Sequence, residues 1–230
     1  MQEQQQASPG LIPPFTGRFV YSRAELIADG IVHAVGIVLA IAAGSALLAL
    51  SAFNTGPGEY AAVVFYVVSL LTVFSVSCAY NMWPLTPAKW ILRRFDHAAI
   101  YVLIAGTYTP FLTQLPDAGI AWTMVAVVWG AAFAGMAIKL LLPGRFDRLA
   151  ILFYLAIGWS GLAVSGPLLD TLPVSTMWLI AAGGIVYSLG VIFFAWQQLK
   201  FQSAVWHGFV VAGAALHLAA VMDCLVVNRL

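Results

Sequence analysis

Between Glu25 and Val227 this chain is one apolar stretch after another, broken only by short turns. A helix needs about 20 mostly apolar residues to cross a bilayer. Seven stretches meet that length: Glu25 to Phe53, Gly58 to Met82, Asp96 to Leu115, Gly119 to Leu142, Arg148 to Gly166, Ser175 to Trp196, and Ala204 to Val227. The breaks carry turn residues, among them Asn54 to Gly58, Pro84 to Pro87, Pro116 to Gly119, Pro143-Gly144, Pro167 and Pro173. Composition agrees: 62% of the 230 residues are hydrophobic and 8% are charged. Nineteen charged side chains cannot cover a water-facing surface, so a soluble enzyme is excluded. A net charge of +1 excludes a nucleic-acid binder, which needs a basic face. The expected fold is all-α: an integral membrane bundle of seven helices over residues 23–230, preceded by a disordered tail, 1–22. Residues 1–15 are rich in Gln and Pro and lack the basic start and apolar core of a cleaved signal peptide.

The basic residues set an expected orientation. Arg18, Arg23, Lys89, Arg93, Arg94, Lys139, Arg145, Arg148 and Lys200 fall on one side of the seven spans, and Arg229 alone on the other. By the positive-inside rule the N-terminus lies in the cytoplasm and the C-terminus outside. Cys78 and Cys224 then sit near opposite faces, too far apart for a disulfide. Gly36, Ala40 and Gly44 repeat every fourth residue and read as a close helix contact. Pro110 falls inside the third span, where a kink is expected.

Ionisable groups inside a span are costly and mark function by default. Glu25, Asp29 and His33 share one face of the first helix at i, i+4, i+8. The second helix ends with Ser77 and Asn81, the third starts with Asp96 and His97, and the seventh starts with Ser203 and His207. Four helices thus bring polar groups to the inner-leaflet level. A pocket opening toward the cytoplasm is expected, formed by helices one, two, three and seven. Plainer roles stand beside this one. Glu25 suits an N-terminal cap, Asp29 and His33 a structural pair, Asp96 a helix start paired with Arg93 or Arg94. His97 suits a surface or interhelical hydrogen bond, His217 a hydrogen-bonded core position, and Tyr154 and Tyr187 either line the pocket or pack.

Several of these residues carry a resemblance. Arg93-Arg94-Phe95-Asp96-His97-Ala98-Ala99-Ile100-Tyr101, continuing through Ala105-Gly106-Thr107-Tyr108-Thr109-Pro110-Phe111, resembles the third-helix signature of haemolysin III proteins. These are grouped with the adiponectin and progestin receptors. Glu25, Asp29 and His33 resemble the family's first-helix motif, Gly183 to Phe193 its sixth helix, and Trp206 to Gly213, up to His217, its seventh. The resemblance spans roughly Arg23 to Val221. It implies seven helices and a cytoplasmic N-terminus in a bacterial inner membrane. It also implies zinc at the cytoplasmic side, held by a histidine four residues after Ser77 and by a His-x-x-x-His pair ending at His207. Asp96 would hold the water on that metal. This chain has Asn81 and Ser203 at two of the three histidine positions.

Amide and hydroxyl oxygens are poor zinc ligands. His207 and Asp96 leave a donor set short of three, to be completed by His33 only if that face of helix one turns inward. The expectation is therefore no tight zinc and no hydrolase activity. Membrane lipids are the expected partners, with a lipid or its headgroup in the pocket. Two alternatives stand. One is a ceramidase-like hydrolase of lipid amides or esters, with His207 on the metal, Asp96 orienting or deprotonating water and Ser77 assisting the oxyanion. The other is a pore, transporter or cytolysin, for which few charges line any span.

Overall fold

A computed structural model describes residues 17–230, apart from the side chain of Arg148. Most of the expected tail therefore lies outside the described residues. The helices are α1 (Arg23–Asn54), α2 (Pro57–Met82), α3 (Pro87–Leu112), α4 (Ala118–Leu141), α5 (Asp147–Gly158), α6 (Ser165–Thr171), α7 (Val174–Ala195) and α8 (Gln202–Leu225). Short 3₁₀ turns follow α5 and α8. Among the described residues there is no strand.

Six segments are long and apolar enough to cross a membrane: α1, α2, α4, Leu149–Thr171, α7 and Gln202–Arg229. Helix α3 has the length, at 26 residues. Its first turns carry Lys89, Arg93, Arg94, Asp96 and His97, and its last carry Thr107, Thr109 and Pro110, which dilute its apolar content. The fold is thus a helical membrane bundle in which the third expected span is the polar one.

The fifth expected span differs in form. It is α5, a 3₁₀ turn over Ser160–Val164, and α6 in series. Gly158, Gly161 and Gly166 weaken the helix there, and Pro167 fits only because it sits in the first turn of α6. Broken backbone inside a membrane must find partners. Tyr108 of α3 supplies them. Its hydroxyl lies 2.7 Å from the Gly158 carbonyl and accepts from the Gly161 N–H at 2.8 Å.

Packing runs α7, α8, α1, α2, α3, α4 in lateral order, with α5 touching α3, α4 and α7 sparsely. The small residues of α1 are buried as expected. A Cβ on Gly36 would lie 2.8 Å from the Val211 side chain of α8, and one on Gly44 would lie 3.0 Å from Val67 of α2. Large side chains point outward instead, Trp122 and Trp178 being 72% and 73% exposed, as a lipid-facing surface requires. Pro110 lies inside α3, where it denies Gly106 its usual donor. Both cysteines are free.

Candidate functional site

The site is assembled at the end of the bundle where α1, α3 and α8 begin and α2 ends. Ser22 caps α1 in a capping box: its hydroxyl accepts from the Glu25 N–H, and the Glu25 carboxylate accepts from the Ser22 N–H at 2.9 Å. The same carboxylate takes Arg18 at 2.9 Å and the backbone N–H of Phe201 at 3.1 Å. Phe201 is the N-cap of α8 and adopts left-handed φ of 60°, unusual for a bulky residue. Glu25 is therefore both the cap expected of it and a clamp that fixes where α8 starts.

With α8 fixed, its first turns meet α1. His207 Nδ1 lies 2.7 Å from Asp29 Oδ1, and the Ser203 hydroxyl donates to Asp29 Oδ2 at 3.0 Å. His33 Nδ1 lies 2.9 Å from the Asp29 carbonyl. A carbonyl only accepts, so Nδ1 carries the proton there and Nε2 of a neutral ring is free to accept. It does so from Ser77 Oγ at 3.3 Å, while the Asn81 amide donates to Ser77 Oγ at 3.3 Å and to the Ser77 carbonyl at 2.9 Å. The two imidazole rings stand 4.3 Å apart. The inner face of α1 thus does turn toward α2 and α8, the condition His33 had to meet.

A cavity of about 770 Å³ opens beside this cluster. Its polar end is formed by His33, Ser77, Asp96, His97 and His207. Its body is apolar, with Phe74, Leu103, Ile104, Val191, Val210 and Val211 in the wall. Tyr154 and Tyr187 both line it, so α5 and α7 join the four helices expected. Glu25, Asp29, Asn81 and Ser203, expected in the pocket, stand behind its wall around a separate void of about 20 Å³. The reason is local: each spends its polar atoms on neighbouring backbone or side chains rather than facing the cavity. His217 also lines the cavity, and its Nε2 donates to the Ile180 carbonyl at 3.2 Å, which makes it a hydrogen-bonded core histidine.

Asp147 was not among the expected residues. It joins Lys139 at 2.6 Å and Arg93 at 3.0 Å, tying the start of α5 to α4 and α3 beside the cavity mouth. Burial works to raise the Asp147 carboxyl, but the two cations outweigh it and hold it below the usual carboxylate range. Its only sequence signal is that it is the one acid in the cationic stretch from Lys139 to Arg148.

Zinc as the resemblance implies it does not fit the residues present. Of the three positions only His207 offers a nitrogen, and the side chains of Asn81 and Ser203 are engaged with Ser77 and Asp29.

Comparison with known proteins agrees with the resemblance. Residues 23–218 match the family model described as haemolysin-III related. Hemolysin-3 of Bacillus cereus is 34% identical over 198 residues, covering 86% of this chain and 90% of that protein. A hemolysin-3 homolog of Bacillus subtilis is 35% identical, covering 85% and 92%. The human monocyte to macrophage differentiation factor is 30% identical, covering 90% and 87%. No solved structure matches. With its helical membrane bundle, its third-helix signature and a match across most of its length, the chain belongs to the haemolysin III family.

Proposed function

We propose that this chain crosses the membrane seven times, N-terminus in the cytoplasm, and binds a membrane lipid in an inner-leaflet cavity without the family's three-histidine zinc centre or its hydrolase chemistry. The observation that carries this reading is the shape and polarity of the cavity. Its volume of about 770 Å³ falls in the range of small-molecule sites, roughly 300–1,000 Å³. Its apolar body suits an acyl chain. Its polar end offers Asp96, Ser77 and the His207 ring to a headgroup. Nine of the ten basic residues on that side support the inner-leaflet placement.

Val191→Trp tests it by filling the apolar wall from a position remote from the polar cluster. Lipid co-purifying with the protein is measured by native mass spectrometry from a mild detergent. The expected result is about one lipid per wild-type chain and a several-fold loss in Val191→Trp at unchanged helicity. Equal occupancy in both, or none in the wild type, overturns the proposal.

The hydrolase alternative has one observation in its favour, that Asp96, Ser77 and His207 share one end of the cavity. Under it, Asp96 would position water and Ser77 would stabilise the developing oxyanion. Release of fatty acid from a lipid amide or ester by the wild type, abolished in His207→Ala and in Asp96→Asn, favours that alternative. Hydrolysis surviving His207→Ala removes its assignment of roles.

A further inference from the structure

Helix α3 lines the cavity along much of its length, and its side chains change character in order. Arg93 comes first, Asp96 stands one turn or about 4.5 Å further along, and Ile100, Leu103 and Ile104 face the apolar body beyond. Asp96 is 8% exposed, and a buried carboxylate needs hydrogen-bond donors. The groups around it are spent on other partners. Lys89, within electrostatic reach, gives its three N–H groups to the Tyr80, Asn81 and Trp83 carbonyls at 3.0, 3.1 and 2.8 Å. Arg93 joins Asp147 at 3.0 Å. The Ser77 hydroxyl lies beside Asp96 but has one proton, and His33 Nε2 takes it. His207 turns its Nδ1 to Asp29. The Asp96 carboxylate is thus an acceptor on the cavity wall that is short of donors.

One turn back along α3 the balance reverses. Arg93 and Lys139, 10% and 3% exposed, share the single carboxylate of Asp147, which leaves an excess of positive charge there. Cavity size adds a third constraint. At about 30 Å³ per carbon, close to the share of a water molecule, a chain of about 16 carbons takes roughly 480 Å³. One such chain with a small headgroup fits a cavity of about 770 Å³, and two chains do not.

We propose, resting on the lipid reading above, that the occupant is a single-chain lipid phosphate of the lysophospholipid kind. Its acyl chain fills the apolar body, its free glycerol hydroxyl donates to Asp96, and its phosphate meets Arg93 beside Lys139. The order chain, hydroxyl, phosphate in such a lipid is the order Ile104, Asp96, Arg93 along the wall. The planar guanidinium of Arg93 suits a phosphate. A two-chain phospholipid has no free hydroxyl next to its chains and would leave Asp96 buried without a donor.

The test is a competition among defined lipids for the detergent-purified chain, read as bound fraction by native mass spectrometry. The probes are palmitoyl glycerol phosphate, the analogue lacking its free hydroxyl, the analogue lacking its phosphate, and the dipalmitoyl form. The wild type should prefer the first to each of the others by about tenfold or more, the range of one hydrogen bond to a charged group. Asp96→Leu should erase the preference for the hydroxyl and keep that for the phosphate, and Arg93→Gln should do the reverse. Variants that merely loosen the site would lower all four alike, and that result from both overturns the proposal. So does equal binding of the lipids with and without the hydroxyl by the wild type, or tighter binding of the dipalmitoyl form. A wild type that holds a co-purified lipid but takes none of the four also overturns it and leaves the broader lipid reading standing, whereas no lipid in either experiment removes both. If a variant fails to fold, the wild-type series decides.

Discussion

Glu25→Ala should be among the most damaging single substitutions at this end of the bundle. The side chain is 5% exposed and serves Ser22, Arg18 and Phe201 at once. Losing the capping box costs about 1 kcal/mol. The Phe201 N–H then loses a charged acceptor, worth about 1.5–3 kcal/mol. The left-handed backbone of Phe201, of order 1–3 kcal/mol in itself, loses the contact that holds it. These losses overlap, and together they come to about 3–5 kcal/mol. For a chain of this size that is roughly 6–20 °C in melting temperature. The assay is intrinsic tryptophan fluorescence on heating in one detergent. Glu59→Ala is the comparison at the opposite end: Glu59 is more exposed, and its contacts, the Gly56 N–H at the start of α2, Gln114 and a surface ion pair with Arg229, together come to about 1–2 kcal/mol. A Glu25→Ala protein melting within about 2 °C of wild type, or a Glu59→Ala protein melting lower still, refutes the view that Glu25 fixes the start of α8.

Tyr108→Phe removes the hydroxyl that serves the broken span and should cost about 1–3 kcal/mol, read as faster amide exchange confined to residues 157–162. Asp147 carries a pH dependence whose sign follows from its depressed value. Its pairing with Lys139 and Arg93 stabilises the fold fully above the ordinary carboxylate pKa, about 3.9, and that contribution fades as pH falls through the lower folded value. Asp147→Asn should therefore melt below wild type at pH 7, with the gap closing as the pH is taken down toward 3. A gap that stays constant with pH contradicts the assignment.

The six apolar crossings are legible in the sequence because both of their signals are local: an unbroken apolar run and the turn residues that end it. The shared face of Glu25, Asp29 and His33 is equally local, since helical spacing alone sets it. What that face meets is not. Helix rotation is decided by partners far along the chain, and the Glu25 contact with Phe201 spans 176 positions. That distance is why Asn81 and Ser203 can be expected in the cavity and yet stand behind its wall. Asp147 escapes for a related reason. In a loop read for its positive charge, a lone acid carries no pattern until α4 and α3 bring Lys139 and Arg93 to it. The break after α5 is marked by its glycines, but Tyr108, which makes the break tolerable, lies 50 residues upstream of Gly158.

The two altered histidine positions carry different weight once their neighbours are known. Losing a ligand at either position would leave a hole in a polar cluster if nothing else changed, and a buried, half-satisfied network is worse than an apolar one. Here neither position leaves one. Asn81 donates to Ser77, Ser203 donates to Asp29, and each supports a residue that touches one of the two remaining histidines of the cluster. A site decaying without constraint would be expected to fill with apolar side chains, because the surrounding walls are apolar and the charge of Asp29 is expensive to keep. Asp29 is kept, buried against two imidazoles and the Ser203 hydroxyl and within electrostatic reach of Lys89, so its charge is met by the polar cluster itself, and that is what keeps both altered positions polar.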